Sequence, residues 1–219
     1  MKKLIAMLLA LVLVMGLVAC GNTDTNTNDT TPATTTAPAE DELITDDTIG
    51  AEDTLATEEV VIPDPNAATE KLAAIWTAVE GEKFFAMGGD MNSMVNDAPG
   101  NYSLEDEGLT AMLYVPADQT ANLDCASSLM HGMLANNFTA GMFKMAEGAD
   151  AKAFAETMKT AIEGAQWMCG MPEKMIIAII DGEYVLSCFG INDAIAPFET
   201  ALTTVYAEAE IVCNAAITG

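Results

Sequence analysis

Near the C-terminal end the run KMIIAII is followed by Asp181-Gly182 and then by EYVLSCFG. Both runs are rich in β-branched and aromatic residues, and Asp-Gly supplies the positive φ angles that a tight reversal between strands needs. This hairpin is the tightest local constraint on the fold, because it commits the chain to an antiparallel pair of neighbouring strands.

The flanking segments extend it. Ala151, Phe154, Ala155, Met158, Ala161, Ile162 and Ala165 form one helical stripe, with Lys152, Glu156, Lys159 and Glu163 opposite. ANNFTAGMFKM before that stripe reads as a strand. A last helix is expected to start near Pro197, which the first turn of a helix tolerates. The order from Phe138 onward is therefore β-α-β-β-α. Upstream, Leu72, Ile75, Trp76 and Val79 at i, i+3, i+4 and i+7 predict an N-terminal helix, with Asn66 as its cap. KFFAMGGDMNSMVNDAPG is expected to continue as a broken helix, punctuated by Gly88-Gly89 and Pro99-Gly100. GLTAMLYVP fits a strand or a short helix equally, and the tail from Ala207 is indeterminate. The expected class is α+β: one small sheet with helices packed on one face, preceded by the N-terminal helix.

The first twenty residues carry a different signal. Lys2 and Lys3 precede an apolar run from Leu4 to Val14, too short for a comfortable span of about 20 residues but suited to a secretory signal. The run leads to Leu17-Val18-Ala19-Cys20-Gly21, which resembles the bacterial lipoprotein box. The resemblance implies cleavage between Ala19 and Cys20 and lipidation of the Cys20 sulfur, so that the membrane is a partner through the lipid. Residues 21–65 are dominated by Thr, Asn, Asp, Ala and Pro, then by acids, and are expected to be a disordered tether. The expected organisation is a signal peptide over 1–19, a lipidated Cys and acidic tether over 20–65, and one α+β domain over 66–219.

Two stretches, FTAGMFKMAEGADAKAFAETMKTAIEGAQ and MIIAIIDGEYVLSCFGINDAIAPF, together with the leader and the Thr/Asp-rich spacer, resemble a family of uncharacterised Gram-positive lipoproteins with a C-terminal domain of unknown function. The resemblance implies an α+β domain on the extracytoplasmic face of a cell membrane. It implies no activity, and this chain is richer in Met and Cys than that pattern.

Charge excludes several functions. The formal charge is −25, and all eight basic residues are lysines. Without an Arg the chain lacks the bidentate fork for phosphate or carboxylate, and nucleic acid would be repelled. His131 is the single histidine, so no two-His zinc set is possible. No phosphate loop, G-x-S-x-G or S-x-x-K occurs. Cys125, Cys169 or Cys188 with His131 would be needed for a Cys-His hydrolase or transpeptidase, and no local motif supports one. Cys125, Cys169, Cys188 and Cys213 are an even set outside the membrane, open to disulfides or to buried thiols. No enzyme and no cofactor is expected; the expected role is binding of an unknown protein or small molecule.

One pattern stands apart. Four Met-x-x-Met tetrapeptides occur: MNSM at 91–94, MHGM at 130–133, MFKM at 142–145 and MCGM at 168–171. An i,i+3 apolar pair is what a buried helix face displays, and Met fills cores well, so core packing is the leading reading. The alternative is a soft-metal site for Cu(I), using Met130, His131 and Met133, or Met168, Cys169 and Met171. A Met-lined groove for an apolar or peptide ligand is a third. On helices MNSM and MCGM would each present two sulfurs together, whereas on a strand MFKM would send its two to opposite faces.

Overall fold

The computed structural model describes residues 64–218. The expected signal peptide, the Ala19–Cys20 cleavage and lipidation site, and the tether up to residue 63 lie outside the described residues. Both hydrophobic cores lie within the described residues.

The expected class holds. Helix α1 (Ala67–Ala78) is followed by strands β1 (Ala86–Gly88), β2 (Val95–Asn96) and β3 (Gly100–Tyr102), and by the single-turn helix α2 (Gly108–Ala111). Then come β4 (Leu123–His131), β5 (Phe138–Met145), α3 (Ala151–Glu163), β6 (Lys174–Ile180), β7 (Tyr184–Gly190), α4 (Asn192–Val205) and β8 (Glu210–Ala216). The β-α-β-β-α order is β5-α3-β6-β7-α4. All eight strands pair antiparallel in one sheet, in the order β2-β1-β4-β5-β7-β6-β8, with β3 beside β4.

The hairpin forms at the predicted place. Asp181 and Gly182 both take positive φ, 53° and 77°, and Glu183 N–H donates back to Ile180 O. Every residue of β7 and all but the first of β6 is buried. That unbroken burial explains two departures from expectation: the sheet is larger than a small one, and helices cover both faces rather than one. Strands apolar on both sides need cover on both sides. On one face Ile176, Ala178, Ile180, Leu186 and Cys188 meet α1 and α4. On the other, Met175, Ile177, Ile179, Val185 and Phe189 meet α3 and α2. Burying a large apolar side chain stabilises by roughly 1.5–3 kcal/mol, so either bare face would be a serious loss.

Helix details follow local chemistry. Leu72, Ile75, Trp76 and Val79 are buried as their spacing predicts. Asn66 occupies the cap position of α1 but does not cap it; its Oδ1 accepts from Asn101 Nδ2 instead. Asp150 caps α3, accepting from the N–H groups of Lys152 and Ala153 at 2.9 and 3.0 Å. Helix α4 starts at Asn192 rather than near Pro197. Glu173, distant in sequence, accepts the Asn192 N–H at 2.8 Å and supplies the start. Pro197 then falls in the second turn, where the bond it removes would have reached the carbonyl of the exposed Asp193, a group water can serve.

The segment expected to be a broken helix is strands instead. β1 and β3 lie end to end along the same edge of β4, at Gly88↔Leu129 and Gly100↔Ser128. Between them the chain leaves the sheet through a turn and returns along β2. The gate is made of glycines: a Cβ on Gly88 would lie 2.3 Å from Ala98 O, and one on Gly100 would lie 2.7 Å from Gly89 N.

Candidate functional site

The Met-x-x-Met motifs separate once folded. MFKM behaves as a strand should, with Met142 buried under α1 and α4 and Met145 buried on the opposite face. MNSM and MCGM are not helical. MCGM lies on the connection between α3 and β6, held by Asn136 Nδ2 donating to Met168 O and Gly170 O, both at 2.7 Å. Met168 and Met171 are exposed there, as is the Cys169 thiol. Core packing therefore accounts for MFKM but not for MNSM, MCGM or Met133.

MNSM and MHGM meet. A cavity of about 420 Å³ opens at the β1–β4 end of the sheet and is lined by Met87, Met91, Met94, Met112, Met130 and Met133. Six of the chain's fifteen methionines thus share one pocket. Its floor is the β1–β4 ladder, where Met87 and Met130 are cross-strand partners. Met91 and Met94 overhang it from the β1–β2 turn, Met112 from the end of α2, and Met133 from the β4–β5 connection. Met91 and Met133 are 79% and 81% exposed, so their apolar surface is not covered by the fold.

One buried carboxylate fixes the overhang. Asp90 Oδ1 accepts from Asn92 N, Ser93 N and Ser93 Oγ at 2.8–3.0 Å, and Oδ2 accepts from Ser103 N at 3.0 Å. Burial alone would push this carboxyl up, but the hydrogen bonds from Ser103, Asn92 and Ser93 outweigh it and hold it below its ordinary value. Asp90 is thus an anion already saturated by protein donors. Tyr102, also lining the pocket, is pushed up to about 12, first by burial and then by the charges of Asp106 and Asp90, so its hydroxyl stays protonated. Asp106 Oδ1 accepts the Gly108 N–H at 2.7 Å. No Lys lines the pocket.

His131 is placed differently from its neighbour. Strand alternation sends Met130 toward Met87, while His131 pairs with Ala86 on the opposite face and stacks on Phe84, with centroids 5.1 Å apart. Nδ1 accepts from the N–H groups of Met133 and Leu134 at 3.2 and 3.3 Å. The imidazole therefore fastens the turn that carries Met133. The trio Met130, His131 and Met133 is brought to one place, all three lining the cavity, with the His131 ring stacked on Phe84. Met168, Cys169 and Met171 stay outside this pocket.

Sequence reasoning missed Met87 and Met112, which belong to no tetrapeptide, and Asp90. The signal available for Asp90 was Asp-x-x-Ser after Gly88-Gly89, the pattern of a side chain capping its own turn. Among the described residues no group of three His, Cys, Asp or Glu is arranged to hold a metal, and no helix is long and apolar enough to cross a membrane. Cys125, Cys169, Cys188 and Cys213 are all free thiols. No protein-family model matches the chain, and no curated protein or solved structure matches it either.

Proposed function

We propose that the protein is a lipid-anchored, extracytoplasmic binding protein without enzymatic activity, whose ligand site is the methionine-lined pocket at the β1–β4 end of the sheet. The observation that carries this reading is the convergence of six methionines, from strands β1 and β4, the β1–β2 turn, the end of α2 and the β4–β5 connection, on one open cavity. Its volume is in the range of small-molecule sites. Flexible thioether side chains adapt to varied apolar shapes, which suits a binding surface. The lining carries Asp90 and Asp106 and no cation, which disfavours an anionic ligand and favours a neutral or positively charged one. The leader and the Cys20 box support the anchored location, and the acidic spacer holds the domain away from the bilayer.

The test uses Thr57–Gly219, which carries both hydrophobic cores, with Nile red as a neutral apolar probe. Saturable binding of one probe per chain is expected, with loss in the double variant Met91→Gln/Met133→Gln. Both positions are exposed, so folding should survive. No saturable uptake, or uptake indifferent to those two substitutions, would reject the pocket as the ligand site.

A further inference from the structure

The chemistry of the lining narrows the ligand beyond an apolar class. We infer that the pocket binds one Cu(I) ion through thioether sulfur, with Met87 and Met130 as donors from the floor and Met91, Met94 or Met133 closing over it. This deepens the reading of that pocket as the ligand site and rests on it. Thioethers are soft, neutral donors that select Cu(I) over harder ions. The cross-strand pair Met87 and Met130 places two of them side by side, since directly opposed residues hold their Cβ atoms about 4.5–5.5 Å apart. The other donors hang from turns rather than from the sheet, one turn held by Asp90 and one by His131. Those segments are positioned, yet their long side chains keep the freedom to close on an ion. The polar lining groups leave little competition: Asp90 is saturated, Tyr102 is a protonated hydroxyl, and His131, which also lines the cavity, has Nδ1 taken up by the N–H groups of Met133 and Leu134. Two nearby carboxylates supply a negative field without supplying a hard ligand set.

A site of this kind has a signature. Thioether ligands carry no proton to displace, so affinity should not change between pH 7.5 and 9, a range above ordinary imidazole titration, whereas a thiolate site would strengthen as pH rises. The experiment is an anaerobic titration of Thr57–Gly219 carrying Cys169→Ser with Cu(I) against a competing chelator, at pH 7.5 and pH 9. Expected are one ion per chain, the same affinity at both pH values, and a loss of about tenfold or more in Met87→Leu, Met130→Leu and Met133→Leu. Leu keeps the apolar volume, so Nile red uptake should persist in the same variants. Absence of competition for Cu(I), or Leu variants that bind as well as the parent, would overturn the inference while leaving the apolar pocket standing. Affinity that rises from pH 7.5 to 9 would overturn it in favour of a thiolate ligand. Loss of both Nile red and Cu(I) binding in the parent protein would instead remove the pocket reading on which the inference stands.

Discussion

Met87 on β1 and Met130 on β4 are Cα partners in an antiparallel ladder, one residue from the point where β4 ends at His131. Their side chains emerge on the same face, beneath Met91 and Met133, which the solvent reaches freely. Oxidation should read this layering directly. Thioethers convert to sulfoxides according to access, so mild peroxide should modify Met91, Met133 and Met168 first. Met142, Met158 and Met175, each at most 1% exposed, should resist until the protein unfolds. Peptide mass spectrometry after timed exposure gives the order. Equal rates for Met91 and Met142 would contradict the placement of the β1–β2 turn.

Asp90 gives a pH dependence with a defined sign. Its carboxyl is held below the ordinary value in the folded protein, so ionised Asp90 stabilises the fold above the unfolded value of about 4. That contribution is lost as pH falls through the lower folded value. Asp90→Asn should therefore be less stable than the parent at pH 7, by about 2 kcal/mol. The difference should shrink progressively below about pH 4. Urea denaturation of both proteins across pH 3–7 measures it; a constant gap over that range would mean that the charge of Asp90 is not what organises the turn.

The sequence made the C-terminal half readable because its signals are local. The stripe of α3, the Asp181-Gly182 reversal and the β5 run each repeat with the period of the element they form. The half before residue 135 is built from contacts that no local period encodes. β1 and β3 are three residues each, too short to show alternation, and exist because β4 offers them its edge. β4 itself, LDCASSLMH, carries Ser127 and Ser128, which weaken an apolar pattern. Both are buried, and their hydroxyls donate to Gly100 O and Gly89 O, the glycines at which the chain leaves and rejoins the sheet. The same holds for the site. Met-x-x-Met spacing drew attention to Met91, Met94, Met130 and Met133, but only the register of β1 on β4 could add Met87.

The cysteines provide an independent check on the core. Cys125, Cys188 and Cys213 are buried, and burial pushes all three thiols up, most strongly at Cys188. At pH 8 they should be protonated and shielded, while Cys169 stands exposed on its loop. A thiol reagent should find one fast-reacting cysteine in native Thr57–Gly219 and four in denaturant without reductant. Fewer than four in denaturant would reveal a disulfide and refute the free-thiol arrangement.

The anchor has its own test, since Cys20 lies outside the described residues. Cells expressing the full chain and fed an alkyne-tagged palmitate analogue should label it, and Cys20→Ala should abolish the label. The variant should also lose stable membrane association, because buried acyl methylenes at about 0.8 kcal/mol each supply the holding energy. Labelling that survives the substitution would place the lipid elsewhere or dismiss it.

Two glycines separate the role of space from that of backbone conformation. At Gly100 a methyl group would lie 2.7–2.9 Å from backbone atoms of Gly88 and Gly89, which cannot retreat without opening the β1–β4 edge. At Gly182 nothing lies within 4 Å, but φ is +77°, a region that costs an L side chain roughly 1–2 kcal/mol. Gly182→Ala should accordingly lose about 1 kcal/mol and leave the pocket untouched. Gly100→Ala should lose about 3 kcal/mol, the upper end of overpacking costs, and should displace the turn that carries Met91 and Met94. Urea denaturation measures the first quantity for each variant and Nile red uptake the second. Equal stability losses with equal probe binding would mean that the close approach of Gly100 to Gly88 does not set the shape of the pocket.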